Sequence, residues 1–264
     1  MPATVTSMLE FRLSAPSDVI MSIAVAAGTP IQHESLTVFG NGVQHPVHEV
    51  AGRHGTRLHR FWAPAGTFRV DYLAAVLNQR PFEPPVELDM IEYLRPSRYC
   101  ESDKLYGFAS STFGHLQGGQ LVDAIGSWVS ENFRYVSGST TGTDSAASTI
   151  ESRQGVCRDY AHTVVALLRA RDVPARVVAV YAPGLSPMDF HAVAEAFVDG
   201  RWIIIDATRL APRPSFVRIA TGRDSADVAF LTNHFGALTL DRVHVTAVAD
   251  MLPFDDYRSP YSIG

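Results

Sequence analysis

Short runs of alternating or apolar residues, separated by turn signals, dominate the first third of the chain. The turn signals are triplets that carry glycine or proline, among them Gly40-Asn41-Gly42 and Pro64-Ala65-Gly66. Short runs bounded by such turns are typical of β-strands. The runs are Glu10–Leu13, Val19–Val25, Thr37–Phe39, Arg57–Trp62 and Thr67–Ala74. The pattern predicts a small all-β sandwich or barrel over residues 1–95.

The spacing of apolar residues changes beyond a proline-rich connector at Asn78–Pro85. Apolar residues then recur at helical spacing in Gln120–Phe133 and Cys157–Ala170, and Asp172-Val173-Pro174 ends the second helix. The strands predicted to follow are Ala175–Tyr181, Phe190–Val198, Arg201–Ala207 and one or two strands within Ala237–Val248. Residues 212–235 are predicted to be irregular. The chain is therefore predicted to be an α+β protein whose second domain, residues 96–264, packs helices on an antiparallel sheet.

The dipeptide Asp199-Gly200 predicts a two-residue hairpin turn between two of these strands. Residues of such a hairpin pair when their numbers add up to 399, the sum for the two turn residues. Val193 then faces Asp206, and alternation places His191 on the same face as Asp206, roughly 7–8 Å away at the backbone. That separation suits a carboxylate that bonds an imidazole and fixes its tautomer. A purely structural His–Asp pair is the alternative at this point.

Cys157 occupies the first turn of a predicted helix, directly after the turn Gln154-Gly155-Val156. A thiolate there lies near the positive end of the helix dipole, which stabilises the anion and makes the sulfur nucleophilic. A free cysteine can equally be a small buried hydrophobic residue. The chain order cysteine, histidine, aspartate matches one thiol-nucleophile arrangement, in which the histidine takes and returns a proton and the aspartate orients it.

Composition and charge narrow the range of functions. The 264 residues include 22 Lys and Arg against 27 Asp and Glu, a formal net charge of −5, so no basic surface for nucleic acid is indicated. No apolar run approaches the roughly 18–20 residues of a membrane span, and Met1–Glu10 lacks the features of a signal peptide. Two cysteines make no disulfide framework. These features predict a cytoplasmic protein that binds neither nucleic acid nor a membrane.

Histidines are frequent in the β-rich part of the chain: His33, His45, His48, His54 and His59. His45 and His48 suggest a metal site, but no carboxylate or cysteine nearby completes a tight ligand set. We therefore favour a structural interpretation of these histidines. The sequence also lacks an acidic cluster with the spacing of a calcium loop, so it predicts neither a metal nor a cofactor.

Several motifs together resemble the bacterial transglutaminase-like superfamily. They are Gly155-Val156-Cys157-Arg158-Asp159-Tyr160-Ala161-His162, Leu167–Ala170, Val173–Val178, His191-Ala192 with Glu195, Gly200-Arg201-Trp202, and Asp206-Ala207-Thr208. The resemblance covers roughly residues 100–235 closely, and the preceding segment Tyr93–Cys100 is similar to the junction in those proteins. It implies a papain-like core, preceded by the β-sandwich domain that often accompanies this core in bacterial members.

The resemblance implies Cys157 as the nucleophile, His191 as the general base and acid, and Asp206 as the residue that orients the histidine. We expect the backbone N–H of Cys157 to stabilise an oxyanion at the helix start. Tyr135 either adds a hydroxyl donor, lines the pocket, or is a core residue. Departures from the family pattern, none of which removes a triad member, are Asp172, Val193 and Ala207. Residues to which we assign no chemistry are Cys100, His162 and Arg176.

The leading functional hypothesis is acyl transfer through a thioester on Cys157. The thiolate attacks a carboxamide or peptide carbonyl, an amine or ammonia leaves, and water or a second amine takes the acyl group. Hydrolysis, as in a cysteine peptidase or amidase, is favoured over transamidation of the kind that protein-glutamine γ-glutamyltransferases perform. The expected partners are a peptide or protein substrate and, for transamidation, an amine acceptor. Two alternatives remain, a non-catalytic binding module that keeps the fold and a metal protein built on the N-terminal histidines.

Overall fold

The N-terminal part consists of two antiparallel sheets that pack face to face. It is seen in a computed structural model that describes residues 1–82 and 84–264. Its strands are β1 (Ala3–Leu13), β2 (Ser17–Met21), β3 (Ile31–Gly40), β4 (Val43–Gln44), β5 (His48–Ala51), β6 (Arg57–Ala63) and β7 (Gly66–Val76). Buried residues alternate along β1 and β7, and the rings of Phe61 and Phe68 meet between the sheets with 5.9 Å between centroids. The predicted N-terminal β-sandwich is confirmed, while its end at residue 95 stays a prediction.

Two strands from the end of the chain complete these sheets. The remaining strands are β8 (Arg134–Tyr135), β9 (Gln154–Gly155), β10 (Ala175–Tyr181), β11 (Phe190–Val198), β12 (Arg201–Ile205), β13 (Val217–Gly222), β14 (Leu231–His234) and β15 (Leu238–Ala249). β15 pairs with β1 and β14 pairs with β2, so the sheet orders are β15-β1-β7-β3-β4 and β14-β2-β6-β5. The single strand β15 accounts for the predicted β-structure of Ala237–Val248.

A buried helix lies at the centre of the second part. The helices are α1 (Glu87–Glu92), α2 (Ser102–Phe113), α3 (Gly118–Asn132), α4 (Ala146–Ser152), α5 (Cys157–Arg169) and α6 (Ser225–Val228). Every residue of α5 from Asp159 to Arg169 is buried, because the helix packs on an antiparallel sheet ordered β12-β11-β10-β13 and contacts α2, α3 and α4. The predicted α+β fold class is confirmed. None of the helices within the described ranges is long and apolar enough to span a membrane.

The turns that flank the central helix and the hairpin have the predicted form. After α5, Asp172 adopts a left-handed conformation (φ 58°), and the N–H of Val173 donates to the carbonyl of Leu168 at 3.0 Å. At the hairpin, Asp199 and Gly200 both have positive φ, 52° and 77°, as a two-residue turn of type I′ requires. β11 and β12 pair in the predicted register, from Ala194 opposite Ile205 to Val198 opposite Arg201.

The prediction that residues 212–235 are irregular is wrong. This segment contains β13, α6 and β14. All six residues of β13 are buried, because the strand has a covered surface on both faces. It therefore lacks the apolar–polar alternation by which a half-exposed strand is recognised. Its polar members Arg218 and Thr221 interrupt the apolar run, yet they bond to each other at 2.7 Å.

Two stacked tyrosines join the sandwich to the second part. Tyr181, at the end of β10, lies against Tyr72 of β7 with 6.3 Å between ring centroids and an interplanar angle of 12°. The hydroxyl of Tyr181 donates to the carbonyl of Ile23 at 2.8 Å and lies 3.0 Å from the hydroxyl of Ser7. The hydroxyl of Tyr72 accepts from the N–H of Val25 at 2.8 Å. Because these buried polar groups are hydrogen-bonded, the free energy lost on their desolvation is compensated. The two parts share a continuous hydrophobic core around them.

Glu195, in the middle of β11, is fully buried between Arg176 of the adjacent strand β10 and Arg218 of β13. Its carboxylate accepts from Nε of Arg176 at 2.7 Å and forms an ion pair with Arg218. Burial by itself raises the pKa of Glu195, but the two guanidinium groups outweigh it and lower the pKa to about 2. Arg176 also lies over the ring of Trp202, with 3.8 Å from its central carbon to the ring centroid. These contacts tie β10, β11 and β13 together beneath the centre of the sheet.

Substituting Glu195→Gln is expected to lower the free energy of unfolding by about 3–5 kcal/mol, because Arg218 loses its carboxylate partner and Arg176 is left with Asp89, at 3.8 Å. Urea unfolding followed by circular dichroism measures the change. Glu131→Gln, on the exposed face of α3, is the matched control and should change stability by less than about 0.5 kcal/mol. Equal stability of the two variants would contradict the account.

Candidate active site

Cys157 lies at the first position of α5, and the chain reaches it from β9 through Val156. β8 and β9 form a short parallel pair that sets Tyr135 opposite Gly155, so the tyrosine lies beside the turn into the helix. A Cβ atom at Gly155 would lie 2.7 Å from the Cβ of Asp159. Only glycine therefore fits directly before this turn, which explains the glycine two residues ahead of the cysteine.

A buried carboxylate, Asp159, caps the helix that carries the thiol. Its Oδ2 accepts from the N–H of Val156 at 2.9 Å and from the hydroxyl of Thr140 at 2.7 Å. Its Oδ1 accepts from Arg158 at 2.9 Å, and Arg158 also donates to the carbonyl of Thr141 at 2.8 Å. A carboxylate in the first turn accepts hydrogen bonds from free N–H groups and interacts favourably with the positive end of the helix dipole. The network fixes the polar loop before α4 against the start of α5.

His191 and Asp206 meet as buried partners at the end of the β11–β12 hairpin. The Nε2 of His191 lies 2.9 Å from Oδ2 of Asp206. The other oxygen of Asp206 accepts from the N–H of Thr208 at 3.0 Å and from its hydroxyl at 2.6 Å. Because both carboxylate oxygens have partners, the side chain is held in one orientation and in turn orients the imidazole.

The imidazole of His191 also interacts with the Cys157 thiol. Nδ1 of His191 is buried and has no hydrogen-bond partner within residues 1–82 and 84–264. This nitrogen is therefore available to the thiol. Burial lowers the pKa of His191, but the charge and hydrogen bond of Asp206, with a smaller contribution from Cys157, raise it to about 10. The arrangement thus favours an imidazolium at neutral pH, as an ion pair with a thiolate requires.

Tyr135 also lies beside Cys157. Its hydroxyl interacts with both the backbone N–H and the side chain of Cys157. Burial, followed by the charge of Cys157, raises the pKa of the hydroxyl, so Tyr135 stays protonated and able to donate. The hydroxyl and the N–H of Cys157 are thus neighbours. Two donors beside a nucleophile are the composition of an oxyanion hole.

The side chains without assigned chemistry lie away from this cluster. His162 is fully buried, stacks on Tyr99 with 5.5 Å between centroids, and accepts from the N–H of Ser225 at 3.0 Å. Burial lowers the pKa of His162 to about 4, which keeps it neutral. Burial raises the pKa of Cys100 to about 12. In the part of the chain that the structure describes, no three His, Cys, Asp or Glu side chains form a group able to hold a metal.

Sequence reasoning missed two carboxylates beside the cluster. An acidic residue at the third position of a helix was the available signal for Asp159. Asp189 lies two residues before His191 and directly precedes β11. The carboxylate of Asp189 is within electrostatic range of His191 and of Tyr135. Its position two residues before His191 was the available signal for it.

Comparisons with known proteins show what this chain is similar to. A family model described as the transglutaminase-like superfamily matches residues 109–207, a range that contains Cys157, His191 and Asp206. The chain is similar to a solved structure described as a "putative cysteine protease" from Cytophaga hutchinsonii, with 37% identity and a TM-score of 0.86. That alignment covers 99% of this chain and 93% of the other.

Other relatives are more distant. The chain is 28% identical over 139 residues to the uncharacterized protein ML0607 of Mycobacterium leprae, covering 47% of this chain and 48% of that protein. The chain therefore spans about half the length of the curated relative it matches. The periplasmic domain of TgpA from Pseudomonas aeruginosa is 22% identical, covers 77% of this chain and 76% of that chain, and has a TM-score of 0.44.

Iodoacetamide is expected to label Cys157 more than about 100-fold faster than Cys100 at pH 7, because Cys157 is partly exposed beside an imidazolium and Cys100 is a buried, protonated thiol. Mass spectrometry of the two cysteine-containing peptides at timed intervals measures both rates. In concentrated urea, where both thiols are free, the rates should converge. Equal rates in the folded protein would contradict the proposed activation of Cys157.

Proposed function

Because this chain belongs to the transglutaminase-like superfamily, we propose that it is a thiol-dependent enzyme that opens a peptide or carboxamide bond through a thioester on Cys157. The observation that carries this proposal is the buried hydrogen bond between His191 and Asp206 at 2.9 Å, with the thiol on the other side of the imidazole. A structural His–Asp pair alone would not require a partly exposed thiol beside it.

In the acylation step, the thiolate of Cys157 attacks the carbonyl carbon and forms a C–S bond, and the carbonyl electrons move to oxygen. The backbone N–H of Cys157 and the hydroxyl of Tyr135 stabilise this oxyanion. When the oxyanion collapses, the C–N bond breaks and the imidazolium of His191 gives its proton to the leaving nitrogen. The products are a thioester, a neutral imidazole and a free amine or ammonia.

In the deacylation step, the neutral His191 removes a proton from the incoming nucleophile, which attacks the thioester and expels the thiolate. Water gives a carboxylic acid, and a primary amine gives a new amide. Asp206 stabilises the imidazolium each time it forms and keeps Nδ1 directed at the sulfur. We propose water as the main acceptor, and the description of the Cytophaga relative as a protease supports this choice. The cycle uses no metal and no cofactor, and we retain a cytoplasmic location as part of the proposal.

A non-catalytic binding module with the same fold is the second hypothesis. It has less support because a binding module needs neither an imidazolium nor a thiol beside it. On this hypothesis the protein would bind the same peptide or carboxamide group as a ligand, without converting it to product. The two hypotheses therefore differ in product formation rather than in binding.

Activity profiling tests the proposal. A carboxamide-peptide library is incubated with the enzyme, with and without a primary amine, and mass spectrometry reports deamidation, cleavage or transamidation. We expect deamidated or cleaved products, and Cys157→Ala should abolish them while the circular dichroism spectrum is unchanged. Asp206→Asn should lower the rate by orders of magnitude, since the same change in a serine protease costs about 10⁴. Binding of library members without any product in the wild type would favour the binding module.

A further inference from the structure

A cavity of about 510 Å³ lies at the turn end of the β11–β12 hairpin, within the roughly 300–1,000 Å³ that is typical of small-molecule sites. It is lined by Phe197 and Trp202 of the hairpin, by Val86 of the connector before α1, and by Tyr261 of the tail after β15. His191 lies at the other end of β11, six residues before Phe197, which is about 20 Å at ~3.3 Å per residue. The cavity is therefore separate from the triad.

Arg176 presents unpaired hydrogen-bond donors to this cavity, although the residue is only 6% exposed. Its Nε donates to Glu195 at 2.7 Å. Its Nη1 lies 3.8 Å from the carboxylate of Asp89, which is too long for a hydrogen bond. Within residues 1–82 and 84–264, Nη1 and Nη2 make no hydrogen bond, and neither nitrogen is sealed from solvent. A buried guanidinium whose terminal N–H groups open into a cavity is a ready anchor for an anion.

Two other arginines that line the cavity differ from Arg176 in their pairing. Arg218 is occupied, because it binds Glu195, Thr221 and two backbone carbonyls of the tail. Arg201, directly after the hairpin turn, is exposed and has no hydrogen bond or ion pair through its side chain in the part of the chain that the structure describes. Arg201 can therefore meet the same ligand as Arg176.

The surroundings of Arg176 favour a carboxylate over a more highly charged anion. Glu195 and Asp89 already lie beside Arg176, and their charges repel a doubly charged phosphate more than a single carboxylate. A guanidinium also matches a carboxylate with two parallel N–H bonds.

The remaining lining of the cavity favours an aromatic or apolar body on the ligand. Phe197 and Trp202 pack edge to face with 5.4 Å between ring centroids, and Tyr261 lies on the tail side. Phe82 and Val86 also line the cavity and are 68% and 52% exposed. Exposed apolar side chains around a concave site with a few polar groups are typical of a binding pocket for an organic molecule.

We propose that this cavity is a non-catalytic binding site for a small aromatic carboxylate. The carboxylate binds the guanidinium groups of Arg176 and Arg201, and the ring packs among the apolar side chains beside Trp202. The site does not use Cys157, so the inference goes beyond the proposed function and stands without it.

NMR titration of the nitrogen-15-labelled chain tests the proposal with two probes, 3-phenylpropionate and its uncharged analogue 3-phenylpropionamide. The indole N–H signals of Trp62, Trp128 and Trp202 are the readout, and Trp202→Phe identifies the signal of interest. We expect 3-phenylpropionate to move the Trp202 signal saturably and to leave the other two in place. It should bind about 10-fold more tightly than the amide, because the ion pair adds to the same ring contacts.

Variants separate the guanidinium contacts from general charge effects. Arg201→Gln should weaken 3-phenylpropionate about 3-fold, as expected for an exposed ion pair, and leave the amide unchanged. Arg176→Lys keeps the charge but loses the paired N–H geometry, and it should weaken 3-phenylpropionate about 10-fold. The control Arg242→Gln, on an exposed position of β15, makes the same charge change as Arg201→Gln and should bind as the wild type does.

The triad variant Cys157→Ala distinguishes this cavity from the candidate active site, and it should bind 3-phenylpropionate as the wild type does. Equal affinity for the acid and the amide would overturn the proposal. So would an unmoved Trp202 signal, a wild-type affinity in Arg201→Gln, or a signal change that is lost in Cys157→Ala.

Discussion

The hydrogen bond between His191 and Asp206 is the interaction on which the remainder of the site depends. It stabilises an imidazolium in a buried position where burial alone would remove the charge. It also directs the second ring nitrogen toward Cys157. The bond exists because a two-residue turn at Asp199-Gly200 sets the register of β11 against β12. A shift of one residue would place the imidazole on the opposite face of the sheet.

Two buried carboxylates fix the positions of the elements around this bond. Glu195 lies four residues after His191 on β11 and is paired with Arg176 of β10 and Arg218 of β13, so a slip of β11 would break both ion pairs. Asp159 fixes the position of the Cys157 thiol in the same way, because it caps α5 and bonds the preceding loop to the helix. Neither carboxylate touches the reacting atoms. They fix the positions of the β11–β12 hairpin and of the start of α5, so His191 and Cys157 meet in one arrangement.

The sequence predicted those features that local chemistry determines. The hairpin register follows from the length of its turn, and the start of α5 at Cys157 follows from the turn Gln154-Gly155-Val156. β13 could not be recognised because both its faces are buried and its arginine is paired with Glu195. The pairing of β15 with β1 joins opposite ends of the chain, and no local pattern specifies a partner at that separation. The sequence positions of Asp159 and Asp189 could have marked them as candidates. Their neighbours come from distant parts of the chain and are brought together only by the fold.

The protonation state of His191 is the property that tests the central claim most directly. Nitrogen-15 NMR of histidine-labelled protein reports whether each imidazole carries one proton or two, and subtraction of the His191→Gln spectrum identifies the signal. The account predicts an imidazolium at pH 7 that titrates at about 10, and a titration displaced toward the ordinary value in Asp206→Asn. A wild-type imidazole that titrates near its ordinary pKa of about 6.5, unmoved by Asp206→Asn, would contradict it.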